Sequence, residues 1–251
     1  MRSVRPALLA ACLGACLACA PRSGDVRSVA VGEGRVDMVY VPAGEFLMGS
    51  SGGWEDERPA HRVRITRGFW LGRTEVTQGL WRRVMGNNPA AFPGGDAFPV
   101  EQVSWNDCLE FISRLNRLTG KAFRLPSEAE WEYACRAGSA EDRPADLDAS
   151  AWYDRNSGQS THAVGRKRAN ALGLHDMLGN VWEWCADGYD SSFYSRSPLE
   201  DPVAPRIGIH RVDRGGCWGH GPDIVRPSRR DGSGDDYRVD LIGLRLAASK
   251  L

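Results

Sequence analysis

The chain has no surplus of charge: Lys plus Arg and Asp plus Glu both number 32 in 251 residues. It therefore lacks the electrostatic footprint of a nucleic-acid binder or of a protein drawn to an anionic membrane surface. Beyond residue 19 there is no Cys-x-x-Cys pair, so a zinc site of the usual spacing is not indicated. No His-x-x-Glu-His or similar run is present, so there is no sequence signature of an iron or zinc centre. Internal repeats are absent, and no boundary suggests a second folded domain. The longest apolar run, Ala7 to Ala20, is too short to span a bilayer as a mature anchor.

That run has another reading. Arg2 and Arg5 precede it, and Pro21 and polar residues follow, which is the pattern of a secretory signal peptide over residues 1–19. Leu13 to Cys16 reads LGAC, similar to a bacterial lipobox, whose cysteine becomes lipidated after cleavage. Cys16 has the better preceding residues, and Cys19 leaves the more usual apolar length, so both stay as lipidation candidates. Residues 20–34 read as a tether, and the folded domain is expected over 35–251. An exported domain can form disulfides. Cys108, Cys135, Cys185 and Cys217 allow three full pairings, or all four are free and buried.

What the chain does have is 29 glycines and 9 tryptophans. Many glycines imply many turns, and many tryptophans imply a core built on a few bulky anchors. Residues 36–50 alternate and read as two short strands about a turn at Pro42-Ala43-Gly44. The next strand pattern puts Val63 and Ile65 on one face. Short helices follow: 77–86, closing on Gly86; 104–120, with Ser104 and Asp107 as a loose capping box; and the stretch from Leu125, where Ser127 and Glu130 form the S-x-x-E box. From 139 onward the pattern is loops and short strands, with a last strand over Gly243 to Ala247.

LHDMLGNVWEWC, Leu174 to Cys185, places an acid between two tryptophans directly after a Gly-Asn turn signal. Neighbours in an extended segment face opposite ways. Trp182 and Trp184 should therefore pack, while Glu183 points elsewhere.

In order, VPAGEFLMGS, TEVTQGLW, PVEQVSWNDCLEF, RLPSEAEWEYACRAG, GLHDMLGNVWEWCAD, RGGCW and IGLRLA resemble the formylglycine-generating enzyme, or sulfatase-modifying factor, family from about residue 36 to 248. The resemblance implies a single α/β domain of C-type-lectin-like topology with little regular secondary structure. Its founding members use oxygen and a Cu(I) ion held by two cysteines to oxidise a sulfatase cysteine to formylglycine. They also bind structural calcium. Carried over, the calcium ligands would be the Asp176 side chain, the Gly179 and Val181 carbonyls and the Glu183 side chain. The second family calcium site is not expected, since Asn156 is its lone remnant.

The copper pair is where this sequence departs. Aligned from Gly215-Gly216, the two cysteine positions fall on His220 and Val225; aligned from the downstream arginines, on Cys217 and Pro222. Neither register supplies two soft thiolates, so copper is not expected to be held in the family's manner. The candidates left for chemistry are Cys217 and His220, three residues apart, either as an activated thiolate or as a small buried residue beside a surface histidine. Arg226, Arg229 and Arg230 either face the substrate cleft or, more ordinarily, pair with Asp231, Asp235 and Asp236 in an exposed loop. Two functions follow. One is an exported domain that binds and oxidatively modifies a partner protein. The other is a non-catalytic, lipid-anchored module of the cell envelope that binds an extracytoplasmic protein or peptide.

Overall fold

The computed structural model describes residues 20–251; the expected signal segment with Cys16 and Cys19 lies outside the described residues. In chain order the elements are β1 (Val26–Val31), β2 (Gly34–Val41), β3 (Gly44–Met48), β4 (His61–Ile65), β5 (Phe69–Gly72), α1 (Gln78–Met85), α2 (Trp105–Thr119), β6 (Phe123–Arg124), α3 (Glu128–Arg136), α4 (Leu147–Ser150), β7 (Trp182–Gly188), β8 (His210–Arg214), β9 (Arg230–Gly234), β10 (Ile242–Leu244) and β11 (Ala247–Ala248). They form a five-stranded sheet ordered β1-β2-β5-β11-β6, a four-stranded sheet ordered β10-β7-β8-β9, and the β3-β4 ribbon. This is the expected α/β domain with little regular structure.

The tether expected over 20–34 is not free chain. Residues 26–31 pair antiparallel with β2, from Val26 opposite Val39 to Val31 opposite Gly34. Val29 and Val31 are buried while the residues between and before them face out. Polar Arg27 and Ser28 belong to an edge strand, and they hide a half-buried alternation that the hairpin partner makes real. The hairpin turns on Gly32, whose φ of +57 is open to glycine at no steric cost.

The helix signals translate directly. Thr77 caps α1. Ser104 with Asp107 and Ser127 with Glu130 close both arms of a capping box, so the loose box of α2 is a complete one. Gly86 and Gly120 end their helices in the left-handed conformation. In α3 that role falls to Ala137, at φ +48, one residue before the expected Gly138.

Two hydrophobic clusters lie on the faces of the sheets. One gathers Trp70, Trp81, Trp105, Phe111, Trp182, Trp184 and Cys217. The other gathers Phe69, Trp131, Leu174, Cys185, Val212 and Val225. β7 runs between them and sorts its side chains by the period of the pleat. Trp182 and Trp184 enter the first cluster and Cys185 the second. Each tryptophan also satisfies its indole N–H, Trp184 on the Val103 carbonyl at 2.9 Å and Trp182 on His220 at 3.2 Å. The tryptophans are packing walls, as expected, and Glu183 turns to the other side.

Candidate functional site: a lone thiol, and a loop wrapped round a guanidinium

Cys217 and His220 are brought together by a tight turn in which the His220 amide donates to the Cys217 carbonyl at 3.1 Å. The Cys217 sulfur lies 3.1 Å from His220 Nδ1. The same nitrogen accepts from Trp182 Nε1, so it carries no proton of its own. Cys217 is fully buried. Burial pushes its thiol up to about 12, and burial also lowers the His220 pKa. Proton transfer from sulfur to imidazole therefore runs uphill from both ends, and the pair rests as a neutral thiol on a neutral ring.

No second thiol completes a copper pair. Cys108, Cys135, Cys185 and Cys217 are all free and buried. Val225, where one register wanted a cysteine, packs fully buried in the second cluster. One buried, protonated sulfur beside a histidine does not make the linear dithiolate that Cu(I) prefers. The donors present do not fit the family's copper.

Two members of the expected calcium loop, the Glu183 side chain and the Asp176 carbonyl, accept from a cation that belongs to the chain, Arg245. Arg245 Nε donates to both Glu183 oxygens at 3.0 and 2.9 Å. Its Nη2 donates to Glu183 Oε1 at 2.6 Å and to the His175 and Asp176 carbonyls at 2.9 and 3.3 Å. Its Nη1 reaches the Gly72 carbonyl at 2.9 Å. Glu183 Oε2 also accepts from Trp131 Nε1 at 2.7 Å. With both oxygens so committed, Glu183 is the counter-ion of Arg245. Gly179 takes φ +75, and a Cβ there would sit 2.1 Å from the Trp152 carbonyl. Val181 is buried. Asp176 holds the Gly165 amide at 2.6 Å through Oδ2, and its buried Oδ1 has no partner. Among the described residues no three His, Cys, Asp or Glu side chains are grouped to hold a metal. Of the four carried-over ligands, the Glu183 side chain is taken up by Arg245, while Asp176 Oδ1 is buried and bare.

Arg226 and Arg230 neither face a cleft nor lie in an exposed loop, and the largely buried Arg229 borders a shallow pocket with Trp54, Asp56 and Tyr189. Arg226 is buried on Glu57 at 2.6 Å and Asp142 at 2.6 Å. Arg230 is fully buried on Glu128 at 2.7 Å. Arg229 covers the Trp54 ring at 4.7 Å, with Asp56 at 3.6 Å and the expected Asp231 at 3.5 Å. Asp235 pairs instead with Arg211 at 3.0 Å, and Asp236 accepts from Asn106 at 2.8 Å. The mixed signs of the stretch concealed interior ion pairs whose acids lie far upstream.

Sequence reasoning missed Arg245 and Glu75. Arg245 stands alone in the apolar run IGLRLA, and a charge in such a run needs a buried partner. Glu75 of TEVTQ is 2% exposed, and neither of its oxygens has a hydrogen-bond partner. Burial, with the nearby charge of Asp176 second, raises its pKa well above the usual carboxylate range.

The family model of the sulfatase-modifying factor enzyme 1-like domain matches residues 25–250, and the chain belongs to that family. Among curated relatives, the formylglycine-generating enzyme of Streptomyces coelicolor is 39% identical over 199 residues, covering 71% of this chain and 60% of that one. The serine/threonine-protein kinase Pkn1 of Chlamydia trachomatis is 31% identical over 239 residues, covering 84% of this chain but 38% of the kinase. The chain thus spans less than two thirds of the length of each of these relatives. Among solved structures, Treponema denticola variable protein 1 superposes with a TM-score of 0.83 at 29% identity, covering 90% of this chain and 99% of that one.

Proposed function

We propose that this chain is a binding module of the formylglycine-generating-enzyme family, anchored in the cell envelope by lipid on Cys16 or Cys19, that holds an extracytoplasmic protein or peptide without oxidising it. One observation carries the reading. The only cysteine at the position of the family's redox loop is buried, its thiol is pushed up to about 12, and it has no second thiol beside it. A redox role would need a thiolate or a metal there, and a binding role needs neither. The balanced charge of the chain supports a protein or peptide partner over a nucleic acid. No helix among the described residues is long and apolar enough to cross a membrane, so a lipid on the N-terminal segment would be the membrane attachment.

The test is mass spectrometry of a cysteine-containing sulfatase-type peptide, incubated in air with the Cu(I)-treated protein and, in parallel, with Cys217→Ala. The peptide should stay unmodified in both. Conversion of its cysteine to an aldehyde by the parent protein, lost in the variant, would overturn the reading. For the anchor, labelled palmitate should enter the parent protein and be lost on replacing one of Cys16 and Cys19 by alanine.

A further inference from the structure

A groove of about 710 Å³ lies between α2, the loop before β8 and the ends of β5 and β11. Backbone contacts bring its walls together. The loop is stitched beside the link into β5: the Arg64 amide donates to the Leu199 carbonyl at 2.7 Å, and the Thr66 amide to Asp201 Oδ1 at 2.9 Å. Ala248 of β11 lies opposite Trp70 of β5, so Arg67 and Lys250 leave the same end of the sheet. On the α2 side, Arg206 lies over the Trp105 ring, its Cζ 5.5 Å from the centroid.

The lining is apolar where it can be reached. Leu109 of α2 and Val203 of the loop both line the groove, and they are 38% and 52% exposed. Trp105, Ile112 and Phe123, themselves buried, complete the apolar lining. Exposed apolar side chains gathered in one hollow are the kind of surface that a partner covers.

The groove is also unbalanced in charge, although the chain is not. Arg67, Arg124, Arg206 and Lys250 line it against two acids, Glu130 and Asp201. The chain uses both acids itself. Glu130 takes Arg124 at 2.6 and 2.7 Å and the Ser127 amide at 2.9 Å. Asp201 holds Thr66 through both oxygens. Arg67, Arg206 and Lys250 are exposed, and among the described residues none of the three has a carboxylate within 4.0 Å. The surface therefore lacks an apolar anchor and negative charge together. A flat lipid surface would meet only the rim of such a hollow, whereas a projecting side chain enters it.

We propose that the partner protein docks in this groove through an exposed segment that carries a bulky apolar side chain between acidic residues. The apolar side chain packs on Leu109 and Val203, and the acids meet Arg67, Arg206 and Lys250. The inference rests on the reading of the chain as a partner-binding module and gives that partner a place and a chemistry. The place is not the redox loop. Trp182 bonds His220, while Ala186, which lines the groove, is four residues and roughly 13 Å further along β7.

The test is a selection of displayed random heptapeptides on the immobilised full chain, run in parallel on the triple variant Arg67→Ser, Arg206→Ser, Lys250→Ser. The three side chains are exposed, so the variant should keep the parent's circular dichroism. Enriched peptides should place Asp or Glu on both sides of Leu, Ile, Phe or Trp and should be lost on the variant. One such peptide, fluorescently labelled, should bind roughly tenfold or more weakly to the triple variant and to Val203→Asp. Its affinity should also fall several-fold as salt rises from about 50 to about 300 mM. Three outcomes would each overturn the proposal: enriched peptides without acidic residues, peptides bound equally by the triple variant, or no enriched peptide. Sedimentation of the parent with phosphatidylglycerol vesicles in that last case would assign the groove to lipid instead. Equal binding by the variant would move the partner to another face and leave the binding module standing, because only aldehyde formation in the oxidation assay overturns that reading.

Discussion

Two buried charge clusters of this molecule are built from the same residue types and end in opposite states. Around α3, Glu57, Glu128 and Glu132 face Arg136, Arg214, Arg226 and Arg230, and every one of those acids accepts from a guanidinium. Burial alone would push the Glu128 carboxyl up, but the Arg230 and Arg214 guanidiniums outweigh it and hold its pKa below the usual value. Around Arg245, a single guanidinium serves Glu183 and leaves three oxygens of Glu75 and Asp176 bare. There burial wins, and both carboxyls are raised. A charge cluster with matched partners is a structural device, whereas one with a deficit is stable only as a neutral acid or with something bound. The first cluster explains how a chain with so little regular structure is held together. The second marks where it is incomplete.

The sharpest way to break this comparison is to remove a cation from the matched cluster. Arg214 is fully buried. It donates to Glu132 and to the Pro227, Ser228 and Arg229 carbonyls at 2.9, 2.9 and 2.8 Å. Arg214→Met fills similar volume but strands Glu132 Oε2 and three carbonyls, Oε1 keeping Arg136 and the Gly49 amide. It should cost on the order of 3–5 kcal/mol in urea unfolding, or leave the chain insoluble. A loss below about 1 kcal/mol would mean that the network is an ornament of the fold.

The next largest effect separates the two acids of the deficient cluster. Glu183→Gln removes the counter-ion of Arg245 and should cost about 3 kcal/mol or more. Glu75→Gln replaces an acid held neutral by its surroundings with a neutral amide of the same shape and should change stability by less than about 1 kcal/mol. Equal losses in the two variants, read from the same urea titrations, would erase the distinction between satisfied and bare carboxylates.

How much of this was legible in the sequence divides along the same line. Local geometry was readable. The period of a strand put Trp182 and Trp184 on one side and Glu183 on the other, the S-x-x-E and S-x-x-D boxes marked α3 and α2, and a spacing of three brought Cys217 to His220. What could not be read was partnership at long range. Glu57 and Arg226 are 169 residues apart and Glu183 and Arg245 are 62 apart. No spacing rule pairs charges at such distances, so acids and arginines looked like exposed loops and a metal ligand. The loop from Asp176 was expected to curl round a calcium ion, and its Glu183 side chain and Asp176 carbonyl instead accept from Arg245. That guanidinium comes from the link between β10 and β11, at the far end of the chain. The edge strand β1 was lost for the same reason, since its alternation has meaning only once β2 is beside it.

A more gradual effect, spread over several pH units, comes from pH. Burial, and then the charge of Asp231, pushes Asp213 up to about 8, and one of its oxygens has no partner. In the unfolded chain an aspartate titrates near about 3.9. Between those values the folded state keeps a proton that the unfolded state has released, so raising the pH favours unfolding. The contribution is complete below about pH 3.9 and is lost as the pH climbs through about 8, at up to about 1.4 kcal/mol per pH unit. Melting temperature should therefore fall from about pH 5.5 to about pH 8.5, and Asp213→Asn should flatten that fall. Glu128, held low, acts in the opposite sense and only on the acid side, so it does not mask the trend.

The smallest expected effect is none at all, and it bears hardest on the comparison. If Arg245 is the cation of the 176–183 loop, then EDTA removes nothing and the melting temperature stays where it was. Added calcium should not raise it either, because a ligand that binds only the folded state must shift that temperature. For calcium to enter, Glu183 would have to leave Arg245, stranding a guanidinium that has no other carboxylate within 4.0 Å and that is fully buried. Such an exchange leaves a buried cation uncompensated while adding two more positive charges beside it. A drop in melting temperature on chelation, restored by calcium and absent in Asp176→Ala, would show that the ion outcompetes the arginine. The bare oxygens of Glu75 and Asp176 would then belong to a metal site, and the two clusters would differ only in which cation completes them.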